Sequence, residues 1–231
     1  MKPFFFNEKM KLANLILTNY KLLFVFPRFG IDFELGDQTV EQMCRKKNIS
    51  IRLFLLVCNI YSFDNYPPQA GVLDEAALSD LIRYLRNSHR DYLRIRVPKV
   101  IADTLQITKS CYGKQFEMFC RKYQSEIELH FAYEDRVVFP YVESLLNKQP
   151  QCSSFRISEY KENHGNIQGS LNDLKSLLIK YVHIGKNSEK KRKALINLFL
   201  LEDDLKRHAL LEDCILVTSV AQLERELKVK S

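Results

Sequence analysis

A pattern written twice constrains this 231-residue chain more than any other feature. His130-Phe-Ala-Tyr-Glu134-Asp135 is answered by His208-Ala-Leu-Leu-Glu212-Asp213. The likeness continues at one offset of 78 residues, where Val137-Val138 match Ile215-Leu216, Val142 matches Val220 and Leu145 matches Leu223. Positions i and i+4 of a helix share a face, so each histidine points the same way as its glutamate. Tyr123, Ile127, His130, Glu134, Val137, Tyr141 and Leu145 make one stripe, and Leu198, Leu201, Leu205, His208, Glu212, Ile215 and Leu223 make another. An apolar stripe is the face a helix buries. A buried carboxylate costs several kcal/mol unless it is paired or coordinates a metal. A lone His-x3-Glu is ordinarily an ion pair. Two copies on core stripes point to metal ions inside the fold.

The remaining composition favours helices. Only seven glycines and seven prolines occur, and 46% of residues are hydrophobic. Residues 1–66 read as a small helical domain with helices over 9–19 and 38–47 and an apolar run over 50–60. Pro27 and Gly30 mark a turn between them, and Pro67-Pro68 lie in a linker. A unit this small is marginal alone, so docking on its neighbour or a homodimer is expected. Residues 67–231 read as an all-α, up-down-up-down four-helix bundle. Its helices run from near Asp74 to Leu105, Tyr112 to Asn147, Ser158 to Tyr181, and from after Ser188 to about Lys228. Pro98 and Pro140 are expected to kink the first two.

Each helix carries one of four histidines: His89, His130, His164 and His208. Each half of the bundle is then a hairpin supplying His followed by His-x3-Glu. Four imidazoles and two carboxylates suit two metal ions, with Glu134 and Glu212 as carboxylate bridges and room for an oxo or hydroxo bridge. Iron fits such donors well, and zinc and manganese are also compatible. Glu126 and Asp204 stand four residues before His130 and His208, and are candidates to orient an imidazole or line a polar entry. Tyr133, Asp135 and Asp213 fall off the stripes and read as structural. The run Lys190-Lys191-Arg192-Lys193 reads as a solvated helix end.

Six scattered cysteines without a CxxC pair, and no convincing secretory signal, lead to the expectation of a cytoplasmic protein with reduced thiols. No apolar stretch reaches about 18 residues, so no membrane span is expected. The net charge of +7 is a mild bias toward anions and too small to imply a nucleic-acid partner.

The order His89, His130, Glu134, His164, His208 and Glu212 resembles hemerythrin-like di-iron domains. With Pro27-Arg28-Phe29-Gly30-Ile31-Asp32-Phe33 and the following helix Thr39–Lys46, nearly the whole chain is similar to the repair-of-iron-centres (RIC) family. Where that family carries Cys-Cys-Gly-Gly, this chain has Glu34-Leu35-Gly36-Asp37. The resemblance implies a non-haem di-iron protein that helps restore iron–sulfur clusters damaged by nitric oxide or oxidants. Its partners would be damaged iron–sulfur proteins and the diatomic ligands nitric oxide and oxygen. Two other readings stand beside it: a hemerythrin-like sensor of oxygen or nitric oxide, and a nitric oxide reductase-type enzyme. A histidine-rich, carboxylate-poor donor set favours reversible binding over strongly oxidising chemistry.

Overall fold

Every named element among the described residues is helical. The computed structural model describes residues 5–66, 73–109, 113–149, 155–163, 168–182 and 188–230. The fold is an all-α helical bundle, as its glycine- and proline-poor sequence requires. No helix among these residues is long and apolar enough to cross a membrane. The linker prolines Pro67-Pro68 lie outside the described residues.

The chain divides into two units. The first comprises Met1–Ser88, Phe139–Glu162 and Arg207–Ser231. It opens with α1 (Leu12–Thr18), α2 (Leu22–Arg28), α3 (Val40–Lys47) and α4 (Ile51–Ser62). Sequence patterning anticipates three of these. The additional helix, α2, occupies part of the stretch read as a turn. It contains Pro27 and buries Leu22, Val25 and Phe26. Its stop is where the glycine acts: Gly30 takes φ +69°, its N–H bonds Pro27 O at 2.9 Å, and the Ile31 N–H bonds Phe26 O at 3.0 Å. This double closure needs a left-handed residue after the last helical turn. α3 begins with a reciprocal cap, Thr39 Oγ1 accepting from the Gln42 N–H while the Gln42 side chain accepts from the Thr39 N–H.

These helices are tied to α5 (Glu75–Asp91) within the same unit. The Ser50 N–H donates to Asp80 at 2.8 Å, Asn87 donates to the Arg28 carbonyl at 2.8 Å, and the Phe29 ring lies 4.5 Å from that of Tyr84. Asp74 caps α5 through the Ala77 N–H at 2.8 Å. α8 (Phe139–Leu146) is held to α5 by a two-pronged pair between Arg86 and Glu143 at 2.5 and 3.0 Å. Glu224 of α12 (Val217–Lys230) accepts from Tyr141 at 2.5 Å and from the Ile157 N–H, at the start of α9 (Ile157–Asn163), at 3.0 Å.

The second unit comprises His89–Val138 and Asn163–Lys206. Four helical stretches surround one apolar core: α6 (Val97–Thr108), α7 (Gly113–Tyr133), α10 (Gln168–Tyr181) and the part of α11 (Ser188–Leu211) that falls in this unit. Val100, Ile127, Phe131, Leu174, Leu198 and Leu201 are among its members, each at most 3% exposed. Where one helix was expected from Ser158 to Tyr181, the described residues hold α9 and α10; residues 164–167 between them, His164 included, lie outside the described residues.

Among the described residues, π segments interrupt the long helices at Tyr92–Arg96, Glu134–Val138 and Glu212–Leu216. The first two lie just upstream of Pro98 and Pro140, the residues expected to kink. A proline cannot donate to the carbonyl four residues back, and the wider i→i+5 ladder is one way around that gap. The third has no proline after it. It repeats the second at the same 78-residue offset, so the duplication in sequence is also a duplication of backbone form.

The second π turn also changes which valine faces the core. Val137, placed on the core stripe by sequence, is 38% exposed, whereas Val138 is fully buried. The extra residue in a π turn advances the helix by one position, so the core-facing residue after Glu134 comes at i+4.

Candidate metal centre

His89 sits near the end of α5 and is 1% exposed. Its ring stacks on Phe131 at 4.1 Å between centroids and 14° between planes. Its Nε2 lies 3.2 Å from Glu134 Oε2. The other oxygen of Glu134 lies 3.1 Å from His130 Nε2. One carboxylate therefore faces two imidazoles, one from another helix and one from the preceding turn of its own. In the second copy His208 Nε2 lies 3.0 Å from Glu212 Oε1.

His89, Glu134, His208 and Glu212 are all buried, and Glu134 and Glu212 are both at 0% exposure. A carboxylate in a dry interior forgoes hydration, so each calls for compensating positive charge. Two donors each about 2.1 Å from one ion stand at most roughly 4.2 Å apart. The nitrogen–oxygen separations of 3.2, 3.1 and 3.0 Å within the two groups fall inside that limit. Imidazole and carboxylate suit iron, zinc or manganese. The residues present thus fit a metal, and each buried His/Glu group is a candidate for holding a cation.

Sequence reasoning named six ligands. The structure sets His89 and His130 on Glu134, with the His130 side chain 12% exposed, and sets His208 on Glu212. His164 lies outside the described residues.

Of the two candidates to orient an imidazole, Asp204 is 2% exposed and accepts from the Tyr92 hydroxyl and from Arg96, each at 2.8 Å. Glu126 accepts from the Ser170 hydroxyl at 2.9 Å and lies 3.7 Å from Lys122.

One residue read as structural meets a candidate ligand. Asp135 Oδ1 lies 3.2 Å from His89 Nδ1, on the side of the ring away from Glu134. An α-helix turns about 100° per residue, and on that count Asp135 leaves the stripe. It sits instead in a π segment, and it meets a ring that comes from another helix. The available signal was the repeat itself, which carries Glu-Asp in both copies. Tyr133 is 40% exposed and Asp213 is exposed, as expected off the stripe.

A family model described as the Hemerythrin HHE cation binding domain matches residues 77–220, more than half of the chain. The matched stretch spans every ligand named above. No curated protein and no solved structure matches the chain.

Proposed function

We propose, because the chain belongs to the hemerythrin HHE cation-binding domain family, that its buried histidines and glutamates hold a non-haem di-iron centre serving the repair of damaged iron–sulfur clusters. The observation that supports the metal reading is a fully buried glutamate set against histidine in each copy of the repeat, Glu134 with His89 and His130, and Glu212 with His208. His89, His130, Glu134, His208 and Glu212 are the proposed ligands, with His164 assigned from sequence alone. When bound, such irons would supply releasable iron and reversible binding of nitric oxide or oxygen. The protein's own part is to hold the donors in place, keep Glu134 and Glu212 dry, and set the histidine tautomers.

Repair rests on the ligand order and on the Pro27–Phe33 stretch, both shared with the repair-of-iron-centres pattern. A small helical domain over residues 1–66, damaged iron–sulfur proteins as clients and a cytoplasmic setting belong to the same proposal. Glu34-Leu35-Gly36-Asp37, in place of a cysteine pair, favours a second reading: a sensor of diatomic ligands.

Elemental analysis of protein purified without added metal, with its ultraviolet-visible spectrum, tests the centre. Close to two irons per chain is the expected result, and folded protein that takes up no iron even on reconstitution refutes it. Recovery of activity in a nitric-oxide-damaged iron–sulfur enzyme separates repair from sensing. Tight nitric oxide binding without such recovery assigns the sensor.

A further inference from the structure

His89 has a carboxylate set against each of its two ring nitrogens. His89 Nε2 points to Glu134 at 3.2 Å, and His89 Nδ1 points to Asp135 at 3.2 Å. Neighbouring residues of one π segment thus bracket the two nitrogens of one ring. Stacking on Phe131 at 4.1 Å holds the plane of that ring. A neutral imidazole has one N–H and one lone pair. If the cluster-facing nitrogen is to bind a cation, the proton must reside on Nδ1, where a carboxylate stands ready to accept a hydrogen bond from it.

We propose that Asp135 is a positioning residue for the metal centre: it accepts a hydrogen bond from the Nδ1–H of His89 and so fixes the tautomer and ring orientation that present Nε2 as a ligand. The inference rests on the metal reading above and adds a residue outside the ligand set. Carboxylates on the far nitrogen of a ligand histidine raise its basicity and lock its ring. Asp135 is suited to this by its half-buried position, with a side chain 39% exposed against 1% for His89. It can be replaced without emptying the core.

The test uses the full chain, stripped of metal, and titrates cobalt(II) alone against a chromophoric chelator for wild type, Asp135→Ala and Asp135→Asn. Asp135→Ala is expected to weaken cobalt binding about 10- to 100-fold. It should also shift the visible ligand-field bands while the far-ultraviolet circular dichroism stays that of wild type. Asp135→Asn retains an oxygen that can accept the N–H, and is expected to recover part of the affinity and the band positions. Wild-type affinity and bands in Asp135→Ala overturn the proposal. So does a loss of affinity in both variants that tracks a loss of helix, since that is a structural role. A wild-type chain that takes up no cobalt overturns the metal reading itself, a result distinct from a binding wild type with an indifferent Asp135→Ala.

Discussion

The hydroxyl of Tyr92 donates to Asp204 at 2.8 Å, joining a π segment after α5 to α11 across 112 residues of sequence. Asp204 also accepts from Arg96 at 2.8 Å and is 2% exposed. The Tyr92 ring in turn stacks 5.6 Å from Phe131, which also stacks on His89. The polar network and the His89 imidazole therefore share one aromatic spacer.

This arrangement ranks two substitutions. Tyr92→Phe removes one hydrogen bond to a charged acceptor, a loss of about 1.5–3 kcal/mol. Asp204→Ala takes the carboxylate from both Tyr92 and the largely buried Arg96, a loss of about 3–5 kcal/mol. Urea unfolding followed by circular dichroism should give that order, and the reverse order would refute it.

The register shift at the second π segment gives a sharper contrast. Val138→Ala empties space at a fully buried position and is expected to cost about 2 kcal/mol. Val137→Ala, one residue away at 38% exposure, should stay within about 0.5 kcal/mol of wild type. Equal effects in urea unfolding would mean that the helix runs through this stretch without the extra residue.

Metal loading and stability should fall together when a ligand histidine goes. His208→Ala removes the nitrogen 3.0 Å from Glu212 and leaves a buried carboxylate with less compensating charge. Metal per chain drops, and the gain in thermal midpoint that wild type shows on metal addition shrinks. Elemental analysis and thermal melts with and without metal check this. Unchanged stoichiometry in both His130→Ala and His208→Ala would refute the ligand assignment.

Glu202 predicts a pH dependence. Burial pushes its carboxyl up, but hydrogen bonds and charge from Lys175 and Lys206 outweigh burial and hold it below its ordinary value of 4.5. A carboxylate whose pKa is depressed by folding stabilises the native state above its unfolded value. That contribution is lost as pH falls through the folded one. Wild type should therefore exceed Glu202→Gln in stability at neutral pH, with the gap narrowing once pH drops below 4.5. A gap that stays constant to lower pH in parallel urea titrations would contradict the pairing.

Much of this protein is legible without coordinates because its strongest signals are local and periodic. His-x3-Glu on an apolar stripe marks a buried face by helical geometry alone, and in both copies the glutamate, Glu134 and Glu212, is fully buried. Helix starts at Asp74 and Thr39 follow from side chains that cap the nearest N–H groups. These readings depend on neighbours within a turn or two, which sequence spacing specifies.

What the tertiary structure decided concerns partners far apart in sequence and departures from the α ladder. Sequence spacing put Val137 on the core face and Asp135 off it. The π segment Glu134–Val138 moves the buried position to Val138, and a ring from α5 meets Asp135 at 3.2 Å. Asp204 likewise reads from sequence as a residue one turn before His208, while the fold delivers it to Tyr92 and Arg96. Periodicity determines which face of a helix is buried. Which side chains meet there depends on where other helices arrive, and on one extra residue in a turn that shifts the buried position beside it.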